Sequence, residues 1–375
     1  MLKFAILGDL IQTPEFTIDD ALLQILQQSD FNIANFEAPF IGPEFRPANG
    51  KSGLCQKLPD AALLKRLNIK IVSLANNHIG DFGSEGFRNT KKILDENGIL
   101  YFGAGEGLTE AERPAVLNCK GLSVSCRGAM SRYLTRFHAE TGAFGSADIR
   151  ADRMIENLKK DTADIKIVYN HWNQEYEDYP EPIYKEDAEK IIQYAHVIAG
   201  SHSHCMQGIG DSSGRLIFYG LGNFSLPNTE YFACRVSPYR PKCYHSFFPV
   251  ISFANGQIDY RLYPYVIGPD GFALSLPSEE ETAKILRRIE EISVPLGLSS
   301  SAYRRYYLRN RDRKMRKPLT RSHRRNSMNL RCYRLKYGIV HGLESGTGAV
   351  LGKMGLRRFV RSALRPLIDK IQKAK

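Results

Sequence analysis

Residues 69–83 read IKIVSLANNHIGDFG: a β-branched apolar run, then Asn76, Asn77 and His78, then a turn bounded by Gly80 and Gly83. The run has the length and the Ile/Val content of a strand buried on both faces. The polar cluster begins where such a strand would end. The same order of events recurs along the chain: FAILG runs into Asp9, FNIAN into NFE at 35–37, IKIVYN into YNHW at 169–172, and AHVIAGS into SHSH at 201–204. Metal-competent side chains thus collect at the carboxyl ends of strands, the edge of an open α/β sheet where ligands bind. Any one of these histidines alone reads as a hydrogen-bonded structural residue. Five clusters at equivalent positions read as a metal site.

Amphipathic helices are predicted between these strands. Ile18, Leu22, Ile25 and Leu26 share one face of a helix over 18–28, and LPDAALLKRLN at 58–68 reads as a second, with Asp60 near its positive end. GSEGFRNTKKILDENG at 83–98 opens on Ser84 and closes on Gly98, matching cap and stop signals. A helix over 184–195 falls between strands 165–170 and 197–200. RLIFYGLGNF, FFPVISF and QIDYRLYPYVI follow as strands without intervening helices, so the sheet is expected to be mixed, and SEEETAKILRRIEEI at 278–292 closes the body.

The 375 residues carry a net charge of +12, but the charge is divided. Residues 300–375 hold 22 Lys and Arg against Asp312, Glu344 and Asp369, a net of +19, and residues 1–299 are left with a net of −7. An acidic body repels polyanions, whereas a basic tail attracts nucleic acid, anionic lipid or an acidic polymer. Within the tail, Tyr303, Tyr306, Tyr307, Tyr333 and Tyr337 interleave with Arg and Lys, a composition suited to stacking on bases. Leu356, Val360, Leu364, Leu367 and Ile371 recur at helical spacing beside basic residues, which suits either an anionic membrane surface or a helix packed on the body with solvated charges; Pro366 kinks it. Seven cysteines without CxxC spacing read as reduced thiols. No stretch reaches membrane-span length and the first residues enter a strand, so the expected compartment is the cytoplasm, with the tail at the inner membrane face.

From residue 1 to about 270 the chain resembles the bacterial capsule-synthesis CapA family (poly-gamma-glutamate synthesis type), a branch of the calcineurin-like metallophosphoesterase superfamily. The resemblance is carried by GD at 8–9, NFE where the family commonly has NLE, SLANNHIGDFG at 73–83, GILYFGAG at 98–105, YNHWNQEYEDYP at 169–180, VIAGSHSHCMQGI at 197–209 and YGLGNF at 219–224. It implies a four-layer α/β/β/α sandwich over residues 1–275, followed by a closing helix and linker (276–299) and the basic, partly helical tail (300–375). It also implies two divalent metal ions, Mn, Fe or Zn. Carried over by motif, Asp9, Glu37 and His204 would hold one, and Glu37, Asn77, His171 and His202 the other. His78 would donate a proton to the leaving oxygen; Asn35, Asp81, Glu175 and Asn223 would orient ligands or meet substrate.

The chain departs from the superfamily pattern at Ile11, where a histidine normally stands two residues after the first aspartate, and at Asn173, where HWG has become HWN. The second metal's ligand set is complete; the first is one short. The function expected is that of a metal-dependent phosphoesterase acting on a phosphoester or polymer-linked substrate in capsule or polyanionic polymer biosynthesis, beside polymer-synthesis enzymes. A non-catalytic metal-binding scaffold and a nucleic-acid phosphoesterase are the alternatives.

Overall fold

A computed structural model describes residues 1–48, 50, 53–134, 137–140, 143–227 and 241–315, the last five as backbone only. The expected helix over 353–371, Tyr333 and Tyr337, Cys234 and Cys332, and most of the 225–245 loop lie outside the described residues.

The FAILG run sits in the central strand, Leu2–Leu10, buried at every position except Lys3. It pairs in parallel with Phe31–Phe36 on one side and antiparallel with His245–Ala254 on the other, and at its carboxyl end it meets Asn223–Ser225, with Asp9 opposite Asn223. The nine-stranded sheet extends outward through Ile69–Ser73 and Leu100–Phe102 on one flank and Gln257–Ile267, Ala273–Ser275 and Thr17–Ile18 on the other. A six-stranded sheet runs Ile209–Asp211, Leu216–Phe218, Val197–Ser201, Ile165–His171, Leu122–Arg127, Ala115–Cys119. Both are mixed; in the first, the antiparallel strands are those expected after residue 216, while in the second they include Ala115–Cys119 against Leu122–Arg127, which lies earlier in the chain.

Period-two alternation decides which side chains meet between the sheets. Phe4, Ile6, Phe31, Ile33 and Ile71 from the first sheet share one core cluster with Ile165, Ile167 and Tyr169 from the second. The Tyr169 hydroxyl crosses the gap to donate to Leu7 O at 2.6 Å. On the far side of the first sheet, Leu22, Leu26, Phe87 and Leu94 from helices Asp20–Gln28 and Gly83–Glu96 cover Ala5, Leu7, Ala34 and Val72. Leu158 of Ala151–Lys160 and Ala188 and Ile191 of Pro182–Ile191 join the core of the second sheet. The result is the four-layer α/β/β/α sandwich.

Several boundaries differ for local reasons. The helix expected over 58–68 shortens to Ala62–Arg66, because Pro59 and Asp60 stay outside it and the Asp60 carboxylate accepts from the Ala62 N–H instead. Ser84 lies inside the first turn of its helix rather than capping it. The closing helix, Glu279–Ser293, does open on a capping box made by Ser278 and Glu281.

A helix also begins at Ser300 and runs to Met315, and the compact body extends to Tyr307. Here an expectation is corrected. Tyr303 and Tyr307 are buried in the body's core, and the Tyr303 hydroxyl donates to Pro180 O at 2.8 Å, so neither is a platform for stacking bases. Tyr306 is half-buried against Tyr179. Among the described residues no helix is long and apolar enough to cross a membrane.

Candidate metal centre

Parallel pairing brings the clusters together. Asp9 lies near the end of Leu2–Leu10, Glu37 just past Phe31–Phe36, Asn77 and His78 in the loop after Ile69–Ser73, His171 at the end of Ile165–His171, and His202 and His204 just past Val197–Ser201. Two glycines permit the close approach. A β-carbon on Gly8 would stand 1.9 Å from Gly222 O, which accepts from the Asp9 N–H, and one on Gly200 would stand 2.2 Å from the Trp172 Nε1. The backbone beyond the second sheet is bent to aim the histidines: His202 and His204 lie at φ 85° and 53°, a left-handed region costly for residues with a β-carbon.

The side chains form one buried network. Asn35 Nδ2 donates to Asp9 Oδ1 (2.8 Å) and to Glu37 Oε2, and its own Oδ1 accepts from Asn76 Nδ2 at 3.2 Å. Asn76 is fully committed, donating also to Phe36 O and accepting from the His78 and Ile79 N–H groups. His171 has Nδ1 2.8 Å from the Ser201 hydroxyl and Nε2 2.7 Å from Asn77 Oδ1 and 3.7 Å from Glu37 Oε1. His204 Nδ1 lies 2.9 Å from Asn223 Oδ1 and 3.3 Å from Asp9 Oδ2. His78 Nδ1 meets Asp81 Oδ2 at 2.9 Å, and the same carboxylate oxygen accepts from the Leu54 N–H.

Electrostatically the cluster is out of balance. Burial, reinforced by the Asp9 charge, pushes the Glu37 carboxyl well above the usual carboxylate range. Burial, with the neighbouring imidazoles, holds His171 and His202 well below the usual histidine range. Burial also works against a charge on His204, but the Asp9 hydrogen bond and charge outweigh it and raise it to about 9. Two buried atoms here, Glu37 Oε1 and His202 Nδ1, have no hydrogen-bond partner. Such atoms cost about 1–3 kcal/mol each when left unsatisfied. Carboxylate and imidazole atoms converging with unused lone pairs suit a divalent cation, which would favour ionised Glu37 and neutral imidazoles.

Two groups have potential ligand atoms within 4.8 Å of one another: Asp9, Glu37 and His171, and Glu175, His202 and His204. These cut across the division drawn from the motifs: His204 falls with His202 rather than with Asp9 and Glu37, and the two groups adjoin, with the His171 and His202 ring centres 4.8 Å apart. Asn77 joins the first through His171; Asn35 contacts Asp9, Asp81 contacts His78, and Asn223 contacts His204. Ile11 is fully buried in a small apolar cluster with Ala38, Cys205, Leu226 and Cys243. Asn173 sits at φ 70°, and its side chain bridges the Gln207 amide oxygen and the Glu181 N–H, which explains asparagine where glycine would otherwise relieve the backbone. Asn76 and Ser201 went unassigned in the sequence. Asn76 stands inside the NNH cluster and Ser201 opens the SHSH cluster, but neither was given a role.

The profile of the family described as "Bacterial capsule synthesis protein PGA_cap" matches residues 12–227, which contain every residue of the network except Asp9. The chain is 29% identical over 209 residues to "Capsule biosynthesis protein CapA" of Bacillus anthracis, covering 53% of this chain and 51% of that protein. It is 29% identical over 206 residues to "PGA biosynthesis protein CapA" of Bacillus subtilis (strain 168), covering 53% and 54%. It thus spans about half the length of the curated relatives it matches. Among solved structures, a hypothetical protein from Thermus thermophilus aligns at a TM-score of 0.46 and 19% identity, over 70% of this chain and 99% of that one.

Proposed function

We propose, because the chain belongs to the bacterial capsule synthesis protein family PGA_cap, that it serves capsule-type polymer biosynthesis through a metal-dependent phosphoesterase centre. The observation that carries the metal is the pair of orphaned buried atoms, Glu37 Oε1 and His202 Nδ1, in a cluster otherwise rich in hydrogen bonds. The carboxylate, imidazole and amide donors form a borderline-hard set suited to Mn²⁺, Fe or Zn²⁺. Asp9, Glu37 and His204 would hold one ion, and Glu37, Asn77, His171 and His202 the other. Bound ions supply Lewis-acid polarisation of a phosphoryl oxygen and a more acidic water.

The chain's own residues do the rest. With Nε2 on a metal, His171 would carry its proton on Nδ1, and the Ser201 hydroxyl, 2.8 Å away, would accept it and hold Nε2 toward Glu37 and Asn77. Asn35 holds Asp9 and Glu37 side by side. His78 is a quarter exposed; Asp81 fixes its Nδ1, and its Nε2, 2.9 Å from the Asn77 amide nitrogen, would have to exchange that contact for the leaving oxygen to hand it a proton.

His78→Ala tests catalysis apart from binding. Assayed on a diester such as bis(p-nitrophenyl) phosphate, it is expected to lose about 10²–10⁴-fold in kcat while keeping the wild-type metal content. Ile11, apolar where the superfamily pattern has a ligand, favours a second reading: a metal-holding scaffold without turnover. Turnover that vanishes in His78→Ala with metal retained excludes the scaffold. Absence of turnover in the metal-loaded wild type across mono- and diesters excludes the enzyme. The basic tail we assign to an anionic membrane surface, holding the body near the polymer-synthesis enzymes that would be its partners; its support is the charge division alone.

A further inference from the structure

Ile11 removes a nitrogen ligand from the Asp9 side of the centre, and the fold delivers a different side chain to the same neighbourhood. Glu175 lies in the turn after Trp172, between Asn173 at φ 70° and Tyr176 at φ 61°. The Tyr176 N–H donates to Ser203 O at 2.8 Å, which ties this turn to the one that carries both histidines. A carboxylate oxygen of Glu175 and ring nitrogens of His202 and His204 consequently lie within 4.8 Å of one another.

One of the two partnerless buried atoms of the centre belongs to this group. His202 is 4% exposed, yet its Nδ1 has no hydrogen-bond partner. The surrounding groups do not accommodate that nitrogen, although the adjacent network satisfies Asn76 completely. His204 is held from one side, where Nδ1 engages Asn223 Oδ1 and Asp9 Oδ2. Glu175 is exposed, unlike Asp9 and Glu37. It therefore reaches the histidines from the rim and adds a negative charge without a second buried desolvation cost.

We infer that Glu175 is a metal ligand, closing with His202 and His204 the coordination that Ile11 leaves open, for a divalent ion of the Mn²⁺ or Zn²⁺ class. The inference rests on the two-metal reading and changes it: His202, given above to the ion of Asn77 and His171, here serves with His204 and Glu175, and the carboxylate does the work a histidine would do, from a different strand end. A residue that only touched substrate at this position would alter KM and leave metal affinity alone.

The test is Mn²⁺ titration of the metal-depleted full chain, following free Mn²⁺ by electron paramagnetic resonance, for wild type, Glu175→Ala and His171→Ala. Because Glu175 is exposed, its removal is expected to leave the thermal midpoint unchanged, so lost binding is not lost folding. The expected result is that Glu175→Ala weakens one Mn²⁺ site at least about tenfold, with the other site at wild-type affinity. Mn²⁺ affinity unaltered by Glu175→Ala overturns the inference, whether the chain takes one ion or two. If His171→Ala still weakens binding in that case, the metal centre stands without Glu175. A wild type that binds no Mn²⁺ overturns the underlying reading along with this one.

Discussion

Asp161 shows how a single buried charge in this protein is balanced away from the centre. Burial works against its ionisation, but hydrogen bonds from the Ser125 hydroxyl, the Ala163 N–H and Arg127 outweigh it and lower its pKa. A carboxylate lowered on folding contributes stability that is present above its unfolded pKa and is lost as pH falls through the folded one. Asp161→Asn is therefore expected to cost about 1–3 kcal/mol at neutral pH, a deficit that shrinks as pH falls below about 4. Urea unfolding at neutral pH and at pH ~3 reads this out, and a deficit constant with pH contradicts it. At the same scale, the sequence exposed the centre's residue types but not their geometry. Asp9, Glu37, His171 and His204 stood out as polar residues ending apolar runs; Ser201 opens the SHSH cluster too, but its place 2.8 Å from His171 is set by the fold. Glu175 reaches His202 and His204 across 27 and 29 residues of sequence through a turn whose direction depends on positive φ at Asn173 and Tyr176.

At the scale of elements, the strands that carry the centre were legible because both of their faces are covered. Phe31–Phe36 is buried at all six positions and has the bounds its apolar run implies. The hairpin Ala115–Cys119 and Leu122–Arg127 was missed: its outer strand is an edge with only Ala115 buried, so the apolar run is broken. Its signal lay in the turn, where Lys120 (φ 52°) and Gly121 (φ 77°) adopt the two left-handed residues of a type I′ hairpin. The helix Ser300–Met315 was misjudged for the opposite reason, since dense Arg concealed Tyr303 and Tyr307 at a spacing of four. Tyr303 is fully buried and lies with Lys185 Nζ 5.2 Å from its ring centre. Tyr303→Ala is expected to destabilise the body by about 3–5 kcal/mol, measured by the urea midpoint. A midpoint equal to wild type would place the helix outside the cooperative body.

For the whole molecule, charge division alone puts the boundary at residue 300, but packing moves it to Tyr307. Any test of the tail must therefore cut later than composition suggests. A chain ending at Met315 keeps the buried tyrosines and discards most of the basic residues. It is expected to lose binding to phosphatidylglycerol-rich vesicles that the full chain shows at low salt, in a flotation assay. Equal flotation of both chains would remove the membrane assignment.

The account turns on a metal centre at the carboxyl ends of strands from both sheets, and metal content tests it most directly. Wild type and His171→Ala, purified in parallel, exposed to Mn²⁺ and desalted, are compared by inductively coupled plasma mass spectrometry. His171 is 1% exposed and shares the network with Asp9, Glu37, Asn77 and His202, so its loss would remove a proposed ligand from the middle of the cluster. The predicted result is metal bound stoichiometrically by wild type and depleted by about one ion per chain in His171→Ala. Wild type without metal, or the two proteins with equal metal, would contradict the account.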